Sequence, residues 1–132
     1  MQNKINSLKL RMKDNNVDLV VLGPGTHMNW LLGFNPYPDE RPCMLLIGKE
    51  KEAFLMPSVN AEDARKRTDI AINSWKDENG PDQALKEALL YIGESSAKHI
   101  AIDEAMRSHF ALIVIEALPN PTYEFTGSTI GA

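Results

Sequence analysis

The chain has 132 residues, enough for one compact domain with a core of its own. With 18 acidic and 14 basic side chains, its net charge of -4 gives no electrostatic footprint for nucleic acid or an anionic membrane surface. The single cysteine, Cys43, excludes an internal disulfide, and no apolar run reaches the roughly 18 residues of a membrane span. The N-terminus lacks the continuous apolar stretch of a secretory signal. We therefore expect a soluble, cytoplasmic domain.

The first elements are marked by apolar periodicity. Ile5, Leu8 and Met12 recur at helical spacing and predict an amphipathic first helix. The run "VDLVVL", residues 17–22, is mostly apolar and rich in β-branched side chains, which predicts a strand buried on both faces. A Gly-Pro-Gly turn at residues 23–25 ends it.

A short helix follows the turn, and we expect Thr26 to cap it and Gly33 to end it in a left-handed conformation. Residues 35–42, "NPYPDERP", contain three prolines and form no regular structure. Two short apolar runs, "CMLLIG" and "EAFLM", then predict a β-hairpin.

Helices and strands alternate through the rest of the chain. The predicted segments are a helix in "NAEDARKR" with Asn60 as cap, the strand "DIAINSW", a helix from Pro81 to Gly93, the strand "HIAID", the helix "EAMRSHFALIVIEAL" and the strand "TYEFT". This order predicts a three-layer α/β/α domain. Its sheet has about six strands and is mixed but mostly parallel, because the hairpin introduces an antiparallel pair.

The glycine turn is the first candidate for chemistry. A dinucleotide-binding turn needs G-x-G-x-x-G, and Gly23 and Gly25 fit, but Met28 occupies the third position. Pro24 also lacks an N–H donor. We interpret the segment as a tight strand-to-helix turn that binds no nucleotide.

The other chemistry-bearing residues are scattered. His99 and His109 are expected in structural roles, and His27 is the histidine that we retain as a candidate site residue, because it lies in the first turn of a helix beside the proline-rich loop. Cys43 begins an apolar strand and is expected to behave as a small hydrophobe. Asp103 is interpreted as a helix N-cap. The loop at 35–42 carries Tyr37, Asp39, Glu40 and Arg41, and it is either a solvated surface or a binding loop.

These segments also carry a likeness to a known family. The stretch "LKLRMKDNNVDLVVLGPGTHMNWLLGF" resembles the start of the creatinase, prolidase and aminopeptidase P group, the pita-bread metallopeptidases, and "HIAIDEAMRSHF" resembles a later strand-to-helix junction of the same group. The resemblance implies the family's N-terminal domain, which has a ribonuclease-H-like fold. It places that domain at residues 1–127 and the start of a linker to a C-terminal catalytic domain at residues 128–132.

The resemblance also implies where the activity lies. Family members such as Xaa-Pro dipeptidases bind two divalent metal ions, manganese, cobalt or zinc, through two Asp, one His and two Glu of the catalytic domain. No such ligand can be assigned here, so we expect no cofactor and no peptidase activity in this chain alone. The resemblance further implies a homodimer in which the loop at 35–42 reaches the partner subunit's pocket. Tyr37, Asp39 and Arg41 would there contact a proline-containing peptide.

Two other interpretations stay open. Relatives that have lost the metal ligands serve as peptide- or protein-binding modules, so the chain can belong to a non-enzymatic interaction protein of the same fold. A free-standing nucleotide-binding α/β protein is disfavoured by the incomplete glycine motif and by the acidic charge.

Overall fold

The computed structural model describes residues 2–127, and within that range the chain forms five helices and six strands in the predicted order. The helices are α1 (Gln2–Asp14), α2 (Thr26–Leu32), α3 (Ser58–Arg65), α4 (Asp82–Ile92) and α5 (Ser108–Ala117). The strands are β1 (Leu19–Leu22), β2 (Met44–Gly48), β3 (Glu52–Pro57), β4 (Ala71–Trp75), β5 (His99–Ile102) and β6 (Thr122–Phe125).

All six strands form one sheet in the order β4-β3-β2-β1-β5-β6. β2 runs antiparallel to both of its neighbours, β1 and β3, whereas the pairs β3–β4, β1–β5 and β5–β6 are parallel. The prediction of a mixed, mostly parallel sheet is confirmed. The antiparallel strand arises because a short turn joins β2 to β3, which leaves no room for a crossover helix.

Helices cover both faces of the sheet, which confirms the three-layer architecture. α1, α2 and α3 pack on one face, where they meet Val20 and Leu22 of β1. α4 and α5 pack on the other face, against Leu19 and Val21 of the same strand. Successive side chains of a strand point to opposite faces, so β1 must be apolar throughout to serve both cores.

Two predicted helix ends are confirmed and two predicted caps are wrong. Gly33 and Gly93 follow α2 and α4 in the left-handed region, with φ of 83° and 79°, a conformation that glycine adopts without steric cost. Thr26 is the first residue of α2 and makes no capping hydrogen bond. Asn60 lies inside α3, which already begins at Ser58.

The last helix is shorter than the sequence indicates. The sequence predicts a helix from Glu104 onward, but α5 begins at Ser108 after an extended Arg107. The reason is Asp103, whose Oδ1 accepts a hydrogen bond from the Ala105 N–H at 2.9 Å and so closes a turn. The predicted N-cap role of Asp103 is therefore wrong.

Candidate functional site

The candidate groups gather at one edge of the sheet. The strands β1, β3, β4, β5 and β6 run in the same direction and end at this edge, and antiparallel β2 begins there. The loop at residues 35–42 precedes β2 and therefore lies at the carboxyl ends of the parallel strands. In open α/β sheets this is the edge at which ligands bind.

Three hydrogen bonds attach the loop to the turn after β1, to α5 and to β4. They join the Gly25 N–H to Asn35 Oδ1 at 3.1 Å, His109 Nε2 to the Glu40 carbonyl oxygen at 3.0 Å, and Trp75 Nε1–H to the Pro42 carbonyl oxygen at 3.0 Å. The loop is thus ordered by contacts with three elements as well as by its prolines, which restrict the unfolded chain.

Arg41 is the central ion-pairing residue of the loop. Its Nε–H and Nη2–H donate to the two carboxylate oxygens of Asp77, at 2.9 and 3.2 Å, and its Nη1–H donates to Asp39 Oδ2 at 3.3 Å. The Asp39 carboxylate also accepts the backbone N–H of Arg41, at 2.8 Å. The hydrogen bond to Asp77 raises the pKa of Arg41 above its usual value. The fork geometry of the guanidinium explains this two-point contact with one carboxylate.

Asp77 was not predicted as a site residue. It lies in the charged run at residues 76–78, which is typical of a solvated turn. Its position directly beyond the carboxyl end of β4 is the signal that sequence reasoning left unused. Asp39 and Arg41 are brought together by the fold, and Asp77 completes their cluster.

Tyr37 projects from the loop. Tyr37 is 74% exposed, whereas the preceding Pro36 is buried. Tyrosine offers an apolar ring and a polar tip, and its two side-chain torsions limit the entropy lost on binding.

The glycine turn uses its N–H groups within the protein. The Gly23 N–H donates to Asp103 Oδ2 at 3.2 Å, and the Gly25 N–H donates to Asn35 Oδ1 at 3.1 Å. A phosphate would have to compete with both acceptors. The geometry thus agrees with the interpretation of the segment as a structural turn.

His27 lies beside two carboxylates. Its Nε2 is 2.8 Å from Glu104 Oε1, and the same oxygen accepts a hydrogen bond from Thr126 Oγ1 at 2.8 Å. The backbone N–H of Glu104 lowers the pKa of that carboxyl group, burial partly opposes this, and the hydrogen bonds from His27 and Thr126 add to the lowering. Asp103 completes the cluster, with one ligand atom of each residue within 4.8 Å of the others.

The other two histidines have structural partners. His99 binds Thr122 Oγ1 at 2.7 Å and Glu124 Oε1 at 2.8 Å, which joins β5 to β6. His109 packs edge-on against Phe110, with ring centroids 4.7 Å apart, in addition to its contact with the loop.

The family comparison decides the identity of this fold. A model of the creatinase/prolidase N-terminal domain matches residues 4–129, nearly the whole chain. The chain belongs to this family. No curated protein matches it significantly.

Solved structures of prolidase N-terminal domains share the fold. A proline dipeptidase from Streptococcus agalactiae superposes with a TM-score of 0.86 at 16% identity, covering 100% of this chain and 99% of that one. The N-terminal domain of an X-Pro dipeptidase from Streptococcus pyogenes gives 0.83 at 16% identity, with 95% and 94% coverage. A dipeptidase from Pyrococcus horikoshii gives 0.84 at 22% identity, covering 96% of this chain but 35% of that one.

The creatinase/prolidase N-terminal domain described here thus spans about a third of the length of the Pyrococcus dipeptidase. Between residues 2 and 127, none of the helices is sufficiently long and apolar to cross a bilayer.

The metal constellation that the family resemblance implies does not fit the described residues. It requires two Asp, one His and two Glu, whereas the only group of three or more converging ligand residues within residues 2–127 is His27, Asp103 and Glu104. A two-metal site cannot be built from three ligands.

Cys43 has no catalytic character. Its side chain is buried, and burial raises the pKa of the thiol to about 12, with a smaller contribution from the Asp39 charge. A nucleophilic cysteine needs the opposite shift, because the thiolate is the reactive form.

Proposed function

We propose that this chain is the non-catalytic N-terminal domain of an Xaa-Pro dipeptidase or aminopeptidase-like metallopeptidase. In this proposal residues 1–127 form the domain, and residues 128–132 lead to a C-terminal catalytic domain. Residues 128–132 lie outside the described range. Support comes from the family match and from the dipeptidase names of the structural neighbours. We call the proposed two-domain enzyme that contains this chain the parent. It is proposed to act in the cytoplasm as a homodimer.

The contribution of this domain to catalysis is assigned to the loop at 35–42. The observation that carries the assignment is its anchoring to three elements at the ligand-binding edge while Tyr37 remains 74% exposed. An ordered loop loses little entropy when it meets a ligand. We propose that it enters the pocket of the partner subunit and forms one wall there.

The charges of the loop suit the ends of a dipeptide. Three of the five guanidinium N–H groups of Arg41 are engaged by Asp39 and Asp77, so two remain for a substrate carboxylate. Asp39 or Glu40 is suited to a substrate ammonium group. The exposed ring of Tyr37 offers an apolar surface to a prolyl side chain.

The reaction itself is assigned to the catalytic domain. There, two divalent ions, manganese, cobalt or zinc, would supply an activated water at neutral pH. The residues of this domain orient the peptide and exclude bulk water, which raises the effective concentration of the reacting groups.

Kinetics of the two-domain parent test the proposal. We expect Arg41→Ala and Tyr37→Ala each to lower kcat/KM on Xaa-Pro dipeptides by about tenfold to a hundredfold, the scale of one well-placed contact. Tyr91→Ala is the matched control, because Tyr91 is half-exposed on α4 and its ring centroid lies 4.8 Å from Lys51 Nζ, in the turn between β2 and β3 at the other edge of the sheet. Melting temperatures identify effects of stability.

Two outcomes would contradict it. If loop variants that fold normally keep full catalytic efficiency on every dipeptide, the loop is a solvated surface and does not contact the substrate. If the intact parent has no turnover with any of the three metals, the interaction module of the same fold becomes the better interpretation.

A further inference from the structure

The helices that follow β1 and β5 lie on opposite faces of the sheet. These strands are neighbours and parallel, but β1 continues into α2 on one face and β5 continues toward α5 on the other. In open α/β sheets, ligands bind outside the carboxyl ends of the strands at such a change of face. Gly23 and Asp103, the residues that directly follow β1 and β5, meet at this point, where the Gly23 N–H donates to Asp103 Oδ2 at 3.2 Å.

Three ligand-type side chains converge at this edge of the sheet from distant parts of the sequence. His27 comes from the first turn of α2, and Asp103 and Glu104 come from the segment after β5, 77 residues away in the case of Glu104. One nitrogen and two oxygens lie within 4.8 Å of one another. An imidazole among the carboxylates distinguishes this group from the acidic clusters that occur on many surfaces.

Asp103 is a buried acid without a cation. Its exposure is 3%, and none of the ion pairs among residues 2–127 involves it. Each of its oxygens accepts one backbone N–H, from Gly23 at 3.2 Å and from Ala105 at 2.9 Å, which leaves further lone pairs on both. Buried carboxylates in proteins are paired with a cation or coordinate a metal. A ring nitrogen of His27 lies within 4.8 Å of one carboxylate oxygen of Asp103.

We propose that His27, Asp103 and Glu104 form a binding site for one divalent transition-metal cation of the zinc class. Imidazole nitrogen with carboxylate oxygens is a ligand set that zinc accepts, with water in the fourth position. Bonds of about 2.0–2.2 Å place neighbouring ligands of a tetrahedral ion about 3.4 Å apart, so side-chain shifts of about 1 Å suffice.

The surroundings orient these ligands. Thr126 Oγ1 donates to Glu104 Oε1, and the two backbone N–H groups hold Asp103. Hydrogen bonds of this kind fix the direction of a ligand's lone pairs. Binding requires the tautomer of His27 that carries its proton on Nδ1, because Nε2 turns from Glu104 to the ion.

Zinc titration of the tag-free 132-residue chain tests the site. Calorimetry is expected to show one zinc ion per chain, and His27→Gln and Glu104→Gln are each expected to weaken binding by at least about tenfold, the low end of what an outer partner of a ligand contributes. The control is His99→Gln. His99 also contacts a glutamate at 2.8 Å but belongs to no three-ligand group among residues 2–127, so its loss is expected to leave zinc binding unchanged.

A second measurement needs no variant. In histidine-selective NMR of the wild-type chain, substoichiometric zinc is expected to shift the imidazole signals of His27 and leave those of His99 and His109 in place. Cobalt is expected to give the visible absorption of a four- or five-coordinate ion. Equal shifts of all three histidines, binding that survives both ligand variants, or loss of binding in His99→Gln would each overturn the proposal.

Discussion

β1 and β6 flank the same strand, β5, and both run parallel to it, yet their side chains differ in burial at every position. All four residues of β1 are buried, whereas all four residues of β6 are exposed. β1 lies inside the sheet between two helical layers. β6 is an edge strand, and Tyr123 and Phe125 face an open groove of about 550 Å³ beside α5. The sequences "LVVL" and "TYEF" are both typical of strands, so strand propensity does not report burial.

Truncation of one side chain in each strand is expected to give the largest contrast. Leu22→Ala removes a fully buried side chain and should cost about 2–5 kcal/mol of unfolding free energy. Phe125→Ala removes a larger ring that is 67% exposed and should change stability by about 0.5 kcal/mol or less. Urea denaturation measures both. Equal losses would show that the two strands do not differ in burial.

Thiol chemistry sharpens the same contrast. Cys43 is 4% exposed, and burial raises its pKa to about 12, from 9.0. At pH 8 this lowers the thiolate population about a thousandfold. A thiol reagent should therefore modify the native chain very slowly. Tyr123→Cys, made together with Cys43→Ser, should react at the rate of an exposed thiol. Fast labelling of native Cys43 would contradict the buried position.

The side-chain contacts that join β1 and β6 to β5 are expected to have the smallest effect on stability. Asp18, just before β1, accepts hydrogen bonds from the Lys98 N–H at 2.8 Å and from Lys49 Nζ at 3.1 Å. Burial raises the pKa of Asp18, but these bonds and the His99 N–H outweigh it, so the net pKa lies below the usual value.

A carboxyl group with a lowered folded-state pKa stabilises the protein fully above its unfolded value, about 3.9, and loses that stabilisation as the pH falls through the folded value. We expect Asp18→Asn to lower the urea midpoint at pH 7 and to flatten the loss of stability below about pH 4. Glu124→Gln, which removes the carboxylate charge that contacts His99 across β5 and β6, is the control and should change the midpoint less. A larger effect of Glu124→Gln would reverse the comparison.

The fold could be predicted because local patterns decide it. Ile5, Leu8 and Met12 fix the buried face of α1, and the glycines after α2 and α4 end those helices. The start of α5 could not be predicted, because it depends on the direction of the Asp103 side chain, which a helix-forming sequence does not reveal.

The candidate site was only partly predictable. The proline-rich loop can be recognised from the sequence. The groups that hold it cannot, because they come from distant parts of the chain. Asp77 lies 36 residues from Arg41, and His109 lies 69 residues from Glu40. The His27–Glu104 contact spans 77 residues. Only the strand order brings these residues to one edge.

The proposed role of the loop across the subunit interface is tested most directly by mixed dimers of the two-domain parent. One subunit carries Tyr37→Ala, Asp39→Ala and Arg41→Ala with an intact catalytic domain, and the other carries an intact loop with one catalytic metal ligand replaced. We expect mixing to restore peptidase activity, because the intact loop of one subunit then serves the intact catalytic domain of its partner. Activity no higher than the mean of the two inactive homodimers would contradict the proposed role of the loop across the subunit interface.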